Sequence, residues 1–249
     1  MDETATPVTV DRVLGGRVTL RQPAKGYRAG LDAALLAAAC DAMAGERVID
    51  VGCGVGAVML AAAARRPGVR FVGLERDAAM LALTLQNIDA NAAAARVEGR
   101  HGEVGAVGAL AGDRFDAALC NPPFFDDPAT LRAPHPAKRG AFMADDGLAA
   151  WTGFLLAAVR DGGTTTLIHR ADRLADVLTQ LGAKAGSFQL RPVHPFADAP
   201  AGRVLVRAVR GGRAPLRLLP ALILHLRGQG KHTHEAEAIL RGEADLPWL

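Results

Sequence analysis

The sequence predicts an α/β fold: a seven-stranded, mostly parallel sheet with helices on both faces, an antiparallel final strand and an N-terminal β-hairpin. Three observations carry this. Short apolar runs at 47–51, 69–74 and 115–120 alternate with longer helix-like stretches, the pattern of βαβ units. A glycine-rich loop, Gly52-Cys53-Gly54-Val55-Gly56, joins the first of these runs to a helical one. The last two predicted strands, 188–195 and 203–209, share a short linker with no helix, so they pair antiparallel.

The elements follow in order. Residues 8–14 and 17–21 flank Gly15-Gly16 and read as a hairpin with a two-residue turn. Arg12, Arg17 and Arg21 decorate it. Asp32 is placed to cap an Ala/Leu-rich helix ending near Gly45, and capping competes with a ligand contact there. The strand 47–51 runs into Asp50-Val51-Gly52-Cys53-Gly54-Val55-Gly56, followed by a helix over 57–65. Glycines allow close approach of backbone to ligand, and the helix start offers free amide donors. The spacing is GxGxG rather than the GxGxxG of dinucleotide sites, so no pyrophosphate cradle is implied. The second strand ends at Glu75, about 20 residues past the loop, where an acid is placed to accept from ribose hydroxyls.

A helix over 78–95 carries Asn87 and Asn91 on one face. The third strand, 96–104, brings Glu103 to its end, within reach of a cofactor's adenine amine. The fourth strand, 115–120, stops at Asn121-Pro122-Pro123-Phe124, because proline has no amide hydrogen for a ladder. That is a carboxyl end of an open α/β sheet, where ligands bind. The Asn121 carboxamide and the Pro122 carbonyl offer two acceptors, and Phe124 a flat apolar face, which together suit a planar amine. A plain turn closing a strand is the competing reading. Residues 125–142 form a long irregular stretch holding Arg132, His135, Lys138 and Arg139. Such a loop beside a pocket suits a phosphate backbone or is an ordinary solvated loop. A helix over 148–159 is ended by Gly162-Gly163, a strand covers 164–169, a helix 171–181, and a last helix 235–241.

Composition sets the outer bounds. The chain has 249 residues, half of them hydrophobic, with a net charge of +3. This is mildly basic, compatible with nucleic acid but not diagnostic. Cys40, Cys53 and Cys120 sit in apolar runs without zinc spacing, as buried thiols of a reducing compartment do. The acidic start is no secretory signal, and the apolar run 33–40 is too short to span a bilayer. A soluble cytoplasmic protein without membrane or metal partners is expected.

The stretch Gly26-Tyr27-Arg28-Ala29-Gly30-Leu31-Asp32-Ala33-Ala34-Leu35-Leu36-Ala37, with Asp50 to Gly56 and Asn121 to Phe124, resembles the bacterial tRNA1(Val) adenine-N6 methyltransferase family. The segments Arg191-Pro192-Val193-His194-Pro195, 222–225 and His232-Thr233-His234-Glu235 are also similar to that group. The resemblance implies a Rossmann-like class I methyltransferase domain over 26–249, preceded by a hairpin extension over 1–25. It implies S-adenosyl-L-methionine as cofactor, held by Asp50, Gly52, Gly54 and Glu75, with Asp32 and Glu103 as further candidates. It gives Asn121, Pro122 and Phe124 to the target amine and implies an RNA partner, a tRNA methylated at an anticodon-loop adenine. Phe124 stands where tyrosine is common in the family; phenylalanine occurs in guanine-N2 rRNA methyltransferases, and protein-glutamine N5 methyltransferases share Asn-Pro-Pro-Tyr. Those two activities are the alternatives. Arg12, Arg17, Arg28, Arg132, Lys138 and Arg139 are the expected phosphate contacts.

Overall fold

The computed structural model describes residues 7–25, 28–106, 108–110, 112–123, 147–230 and 232–248. In chain order the elements are β1 (Val8–Val13), β2 (Val18–Pro23), α1 (Leu31–Ala38), β3 (Arg47–Val51), α2 (Ala57–Arg65), β4 (Arg70–Glu75), α3 (Ala78–Ala90) and β5 (Val97–His101). After them come β6 (Phe115–Cys120), α4 (Leu148–Ala158), β7 (Val159–Arg170), a 3-10 turn (Ala171–Arg173) and α5 (Leu174–Gly182). The chain finishes with β8 (Ala185–His194), β9 (Arg203–Arg210), β10 (Arg217–Leu218), β11 (Leu222–Ile223) and α6 (His234–Arg241).

The large sheet has the order β10-β8-β9-β7-β6-β3-β4-β5, with β11 also on β8. Strand β9 runs antiparallel to both neighbours, and the other described pairings in this sheet are parallel. The seven expected strands are there, with the last one reversed. Two further strands of two residues each extend the β8 edge, a departure from the expected count. They were too short to show any alternation in the sequence.

Alternate strand residues face two cores, as the period of two requires. Val48, Phe71, Leu119 and Ile168 point to the face covered by α1, α2, α3 and α6. Ile49, Val51, Leu74 and Leu167 point to the face covered by α4 and α5. β1 and β2 form a separate two-stranded sheet beside α3.

Several expected boundaries move, each for a tertiary reason. The hairpin turn spans Leu14 to Arg17 rather than two glycines, because β1 and β2 pair only up to Val13 and Val18. Leu14 takes a positive φ of 55° and turns its side chain into the core, 4% exposed. Helix α1 stops at Ala38, well before Gly45, because other groups capture the carbonyls at and just past its end. The Leu246 amide bonds Ala38 O (3.0 Å), Trp248 Nε1 bonds Ala39 O (2.7 Å) and Arg66 Nε bonds Cys40 O (2.7 Å).

Helix α3 ends at Ala90 rather than 95, and β5 covers only 97–101 of the expected 96–104. Gly162 and Gly163 do not end a helix. Helix α4 stops at Ala158, and both glycines lie within β7. There the register with β6 skips from Val159 to Thr164. A Cβ on Gly163 would lie 2.9 Å from Asp116 O, so the glycine permits the close strand approach. The helix expected over 171–181 begins as the 3-10 turn.

Candidate functional site

The register of three adjacent parallel strands builds the site. Leu74, Val51 and Cys120 are paired across β4, β3 and β6. The next residues, Glu75, Gly52 and Asn121, therefore stand side by side at the sheet's carboxyl end. Glu75 is itself paired with His101 of β5, which brings Glu103 to the same rim.

The glycine loop is fixed from below. The amides of Gly52 and Cys53 both donate to Leu74 O, at 2.9 and 3.0 Å. Gly52 has φ of 71°, and a Cβ there would lie 2.6 Å from the Trp151 ring. Trp151 comes from α4 and packs beneath the loop, a role for which its sequence context gave no signal. The Gly54 position faces open space: a Cβ there would meet nothing within 4 Å. That is the cradle a ligand needs at close range to backbone.

Each acid of the motif has a defined partner. Asp50 is 1% exposed, on the face of β3 toward α2, where the Met59 amide donates to its Oδ2 at 3.2 Å. Burial pushes its carboxyl up to about 7, against the Met59 bond that favours the charged form and with the Glu75 charge adding to the rise. Glu75 accepts from the Gly54 amide (2.9 Å, Oε2) and the Asp77 amide (2.8 Å, Oε1). A carboxylate oxygen has two lone pairs, so both oxygens can take a hydroxyl besides an amide. Open space at Gly54 and a half-buried carboxylate beside it fit a nucleoside with vicinal hydroxyls.

The remaining candidates divide. Asn121 is half-buried and Pro122 buried at the end of β6. Phe124, Arg132, Lys138 and Arg139 lie outside the described residues. Glu103 is 55% exposed and pairs with Arg76 at 3.3 Å. Asp32 does not cap α1. The cap position is Gly30, and Asp32 lies in the first turn, where it accepts from Arg203 Nε of β9 at 2.9 Å. The long-range partner wins over the local bond.

Two of the expected phosphate contacts are used within the protein. Arg28 Nη2 pairs with Asp11 at 2.6 Å, and its Nη1 donates to Thr9 Oγ1 and Pro23 O. Arg17 donates to Gly242 O at 3.1 Å and to Ala64 O. Arg12 stays exposed.

Sequence reading also passed over Thr84 and Asn87 as parts of this site. Both are 0% exposed on α3. Thr84 Oγ1 donates to Gly54 O and Asn87 Nδ2 to Val55 O at 2.9 Å, so α3 holds the loop from behind. The Asn87 and Asn91 spacing showed a shared face but not what it touched.

Two concave regions lie away from the glycine loop and Asn121. One is lined by Arg17, Arg65 and residues 242–245, the other by residues 41–44, Arg65, Arg66 and Trp248 among others. Among the described residues no group of three or more His, Cys, Asp or Glu could hold a metal, and no helix is long and apolar enough to cross a membrane. The three cysteines are buried and free.

Residues 28–135 match the family model of the methyltransferase small domain. The chain is 34% identical over 193 residues to a release factor glutamine methyltransferase of Burkholderia pseudomallei, covering 71% of this chain and 63% of that one. It is 26% identical over 147 residues to a tRNA1(Val) (adenine(37)-N6)-methyltransferase of Actinobacillus succinogenes, covering 59% of this chain and 62% of that one. The matches thus span less than two thirds of these curated relatives. A crystal structure of a predicted O-methyltransferase from Agrobacterium tumefaciens superposes with a TM-score of 0.72 at 27% identity, covering 86% of this chain and 98% of that one. The chain has the Rossmann-like fold of class I methyltransferases.

Proposed function

We propose that the chain is an S-adenosylmethionine-dependent methyltransferase that modifies a planar amine, the N6 of an adenine in a tRNA. The observation that carries this reading is the pairing of Val51 with Cys120, which sets Asn121-Pro122-Pro123 directly beside the glycine loop. An acceptor pair for an amine and a cradle for a nucleoside then share one rim.

In this reading the cofactor, when bound, supplies an electrophilic methyl group. Gly52 and Gly54 give it backbone-close access, and Glu75 takes the ribose hydroxyls. Asp50 fixes the start of α2 through Met59 and so sets the loop's height. The side-chain oxygen of Asn121 and the Pro122 carbonyl accept the two amine hydrogens. An aromatic amine delocalises its lone pair into the ring. Two acceptors placed out of the ring plane draw the nitrogen toward a tetrahedral shape and localise that pair for attack. Orientation of this kind contributes on the order of 7–11 kcal/mol. The nitrogen becomes cationic on gaining a methyl group, and that cation is acidic enough to lose a proton to water, so no side-chain base is required. A base in folded RNA must swing out to reach the rim. Phe124 follows as its stacking surface.

A second reading is methylation of a glutamine side-chain amide in a protein. The 34% identity to a release factor glutamine methyltransferase favours it, and the same acceptor pair suits a carboxamide nitrogen. Incubating the chain with labelled S-adenosylmethionine and either bulk tRNA or a release factor separates the two. Label in tRNA that digests to N6-methyladenosine supports the first reading. Label confined to the release factor overturns it in favour of the second, and label in neither overturns both.

A further inference from the structure

Helix α3 presents Thr84, Asn87 and Asn91 on one face, and what each of them touches differs. Asn91 serves the hairpin: it accepts from the Thr19 amide at 2.9 Å and donates to Thr19 O at 2.7 Å. Asn87 repeats this two residues along β2, accepting from the Arg21 amide at 2.7 Å and donating to Arg21 O at 3.0 Å. Two carboxamides thus stand in for a third strand on the β2 edge. Asn87 does one thing more. Its remaining N–H goes to Val55 O at 2.9 Å, inside the glycine loop. A carboxamide has two N–H donors, and Asn87 divides them between the hairpin and the loop. It does so fully buried, where a lost partner is costly.

We propose that Asn87 is a positioning residue that couples docking of the N-terminal hairpin to the shape of the cofactor loop. The inference rests on the S-adenosylmethionine reading above. With the hairpin seated, the Asn87 carboxamide is held in one orientation and the Val55 carbonyl is drawn back toward α3. The neighbouring Gly54 carbonyl is held the same way by Thr84, whose hydroxyl donates to the loop. Hairpin docking and nucleoside binding then favour each other, and the coupling is reciprocal by linkage. Asn91 bonds the hairpin at Thr19 and its own helix at Asn87 O, and supplies the matched control.

The experiment uses S-adenosylhomocysteine as probe, with calorimetry for affinity and amide hydrogen exchange at Thr19 and Arg21 as the report on the hairpin. In the wild type, saturating probe should slow exchange at both amides by about 5-fold or more, the lower end of ordinary coupling. Asn87→Ala should raise the probe's Kd about tenfold and abolish the slowing at Thr19, whose bond to Asn91 survives. Asn91→Ala should change Kd less than about threefold and keep the slowing at Arg21. A merely structural role predicts comparable losses in both variants and no effect of probe on hairpin exchange, and that outcome overturns the proposal. If Asn87→Ala does not fold, the wild-type and Asn91→Ala exchange data decide by the same criteria. A wild type that binds no probe overturns the cofactor reading itself and this inference with it. A wild type that binds while the hairpin stays indifferent overturns the coupling alone.

Discussion

Around the glycine loop, side-chain acceptors collect amide N–H groups. Asp50 takes that of Met59, Glu75 those of Gly54 and Asp77, and Asp77 those of Ala79 and Met80. Around the C-terminal tail the polarity is reversed, and guanidinium donors collect carbonyls. Arg65 reaches Ile239 O and Ala244 O, Arg66 reaches Cys40 O, and Arg191 reaches Pro220 O and Pro247 O. Helix starts expose orphan N–H groups, so acids suit the first region. Helix ends and irregular segments expose carbonyls with spare acceptor capacity, so long donors suit the second. The first set of bonds spans few residues or one βα unit, whereas the Arg65 contacts join residues more than 170 apart. The acid-to-amide bonds of the loop are therefore specified within one stretch of chain, and the Arg65 bonds of the tail only by the finished fold.

Breaking the tail clamp should have the largest effect. The Arg65 side chain is 2% exposed, and removing it empties a buried site, takes a guanidinium donor from Ile239 O and Ala244 O, and leaves Asp245 to Arg66 alone. Arg65→Ala is expected to cost about 4 kcal/mol. For a chain of this size that lowers Tm by roughly 8–16 °C. Affinity for S-adenosylhomocysteine should change less than about twofold. Denaturant melts within about 1 kcal/mol of wild type would show that the arginine clamp does not hold the tail.

Asp50→Asn sharpens the comparison through pH. The folded carboxyl titrates near 7, above the unfolded value of about 3.9, so the folded state keeps a proton that the unfolded chain has released. Its contribution to stability is fully present below pH ~4 and is lost as pH rises through ~7. The asparagine variant lacks that loss, so it should gain on the wild type by about 3 kcal/mol between pH 4 and pH 8. Urea unfolding at the two pH values checks this. An equal gap at both would mean that Asp50 does not titrate as described.

Asn121→Ala tests the rim rather than the scaffold. Single-turnover methylation should fall about 10²-fold, roughly 2.7 kcal/mol, with Tm and cofactor affinity nearly unchanged. A plain turn residue would instead lose activity only in step with stability, and a stable variant with near wild-type turnover would remove Asn121 from the reaction.

The smallest effect belongs to a tail arginine that is not buried. Arg227 pairs with Asp198 at 2.8 Å, with side chains 61% and 65% exposed, and its guanidinium lies over Phe196 at 4.5 Å. Water and salt screen such a pair. Arg227→Ala should leave Tm unchanged within error. A drop comparable to that of Arg65→Ala would show that burial is not what separates the two arginines.

The sequence by itself determined the mostly parallel sheet, the glycine loop and the placing of Glu75, Gly52 and Asn121 at strand ends, while the register that sets them in one row came from the fold. Each rests on signals within a few residues: apolar runs of strand length, glycines between strand and helix, and prolines that end a ladder. It also determined that Asn87 and Asn91 share a face. What that face holds, and where α1 stops, only the tertiary structure decided. The α1 boundary depends on carbonyls captured by Leu246 and Trp248, more than 200 residues away. Asp32 offers the same lesson, since its local preference to cap a helix yields to Arg203 from β9. Trp151 reached the underside of Gly52 only because the sheet order put α4 there. Local periodicity encodes which residues face a core, but a polar side chain takes whichever partner the assembled fold brings within 3 Å, and nothing along the chain fixes that distance.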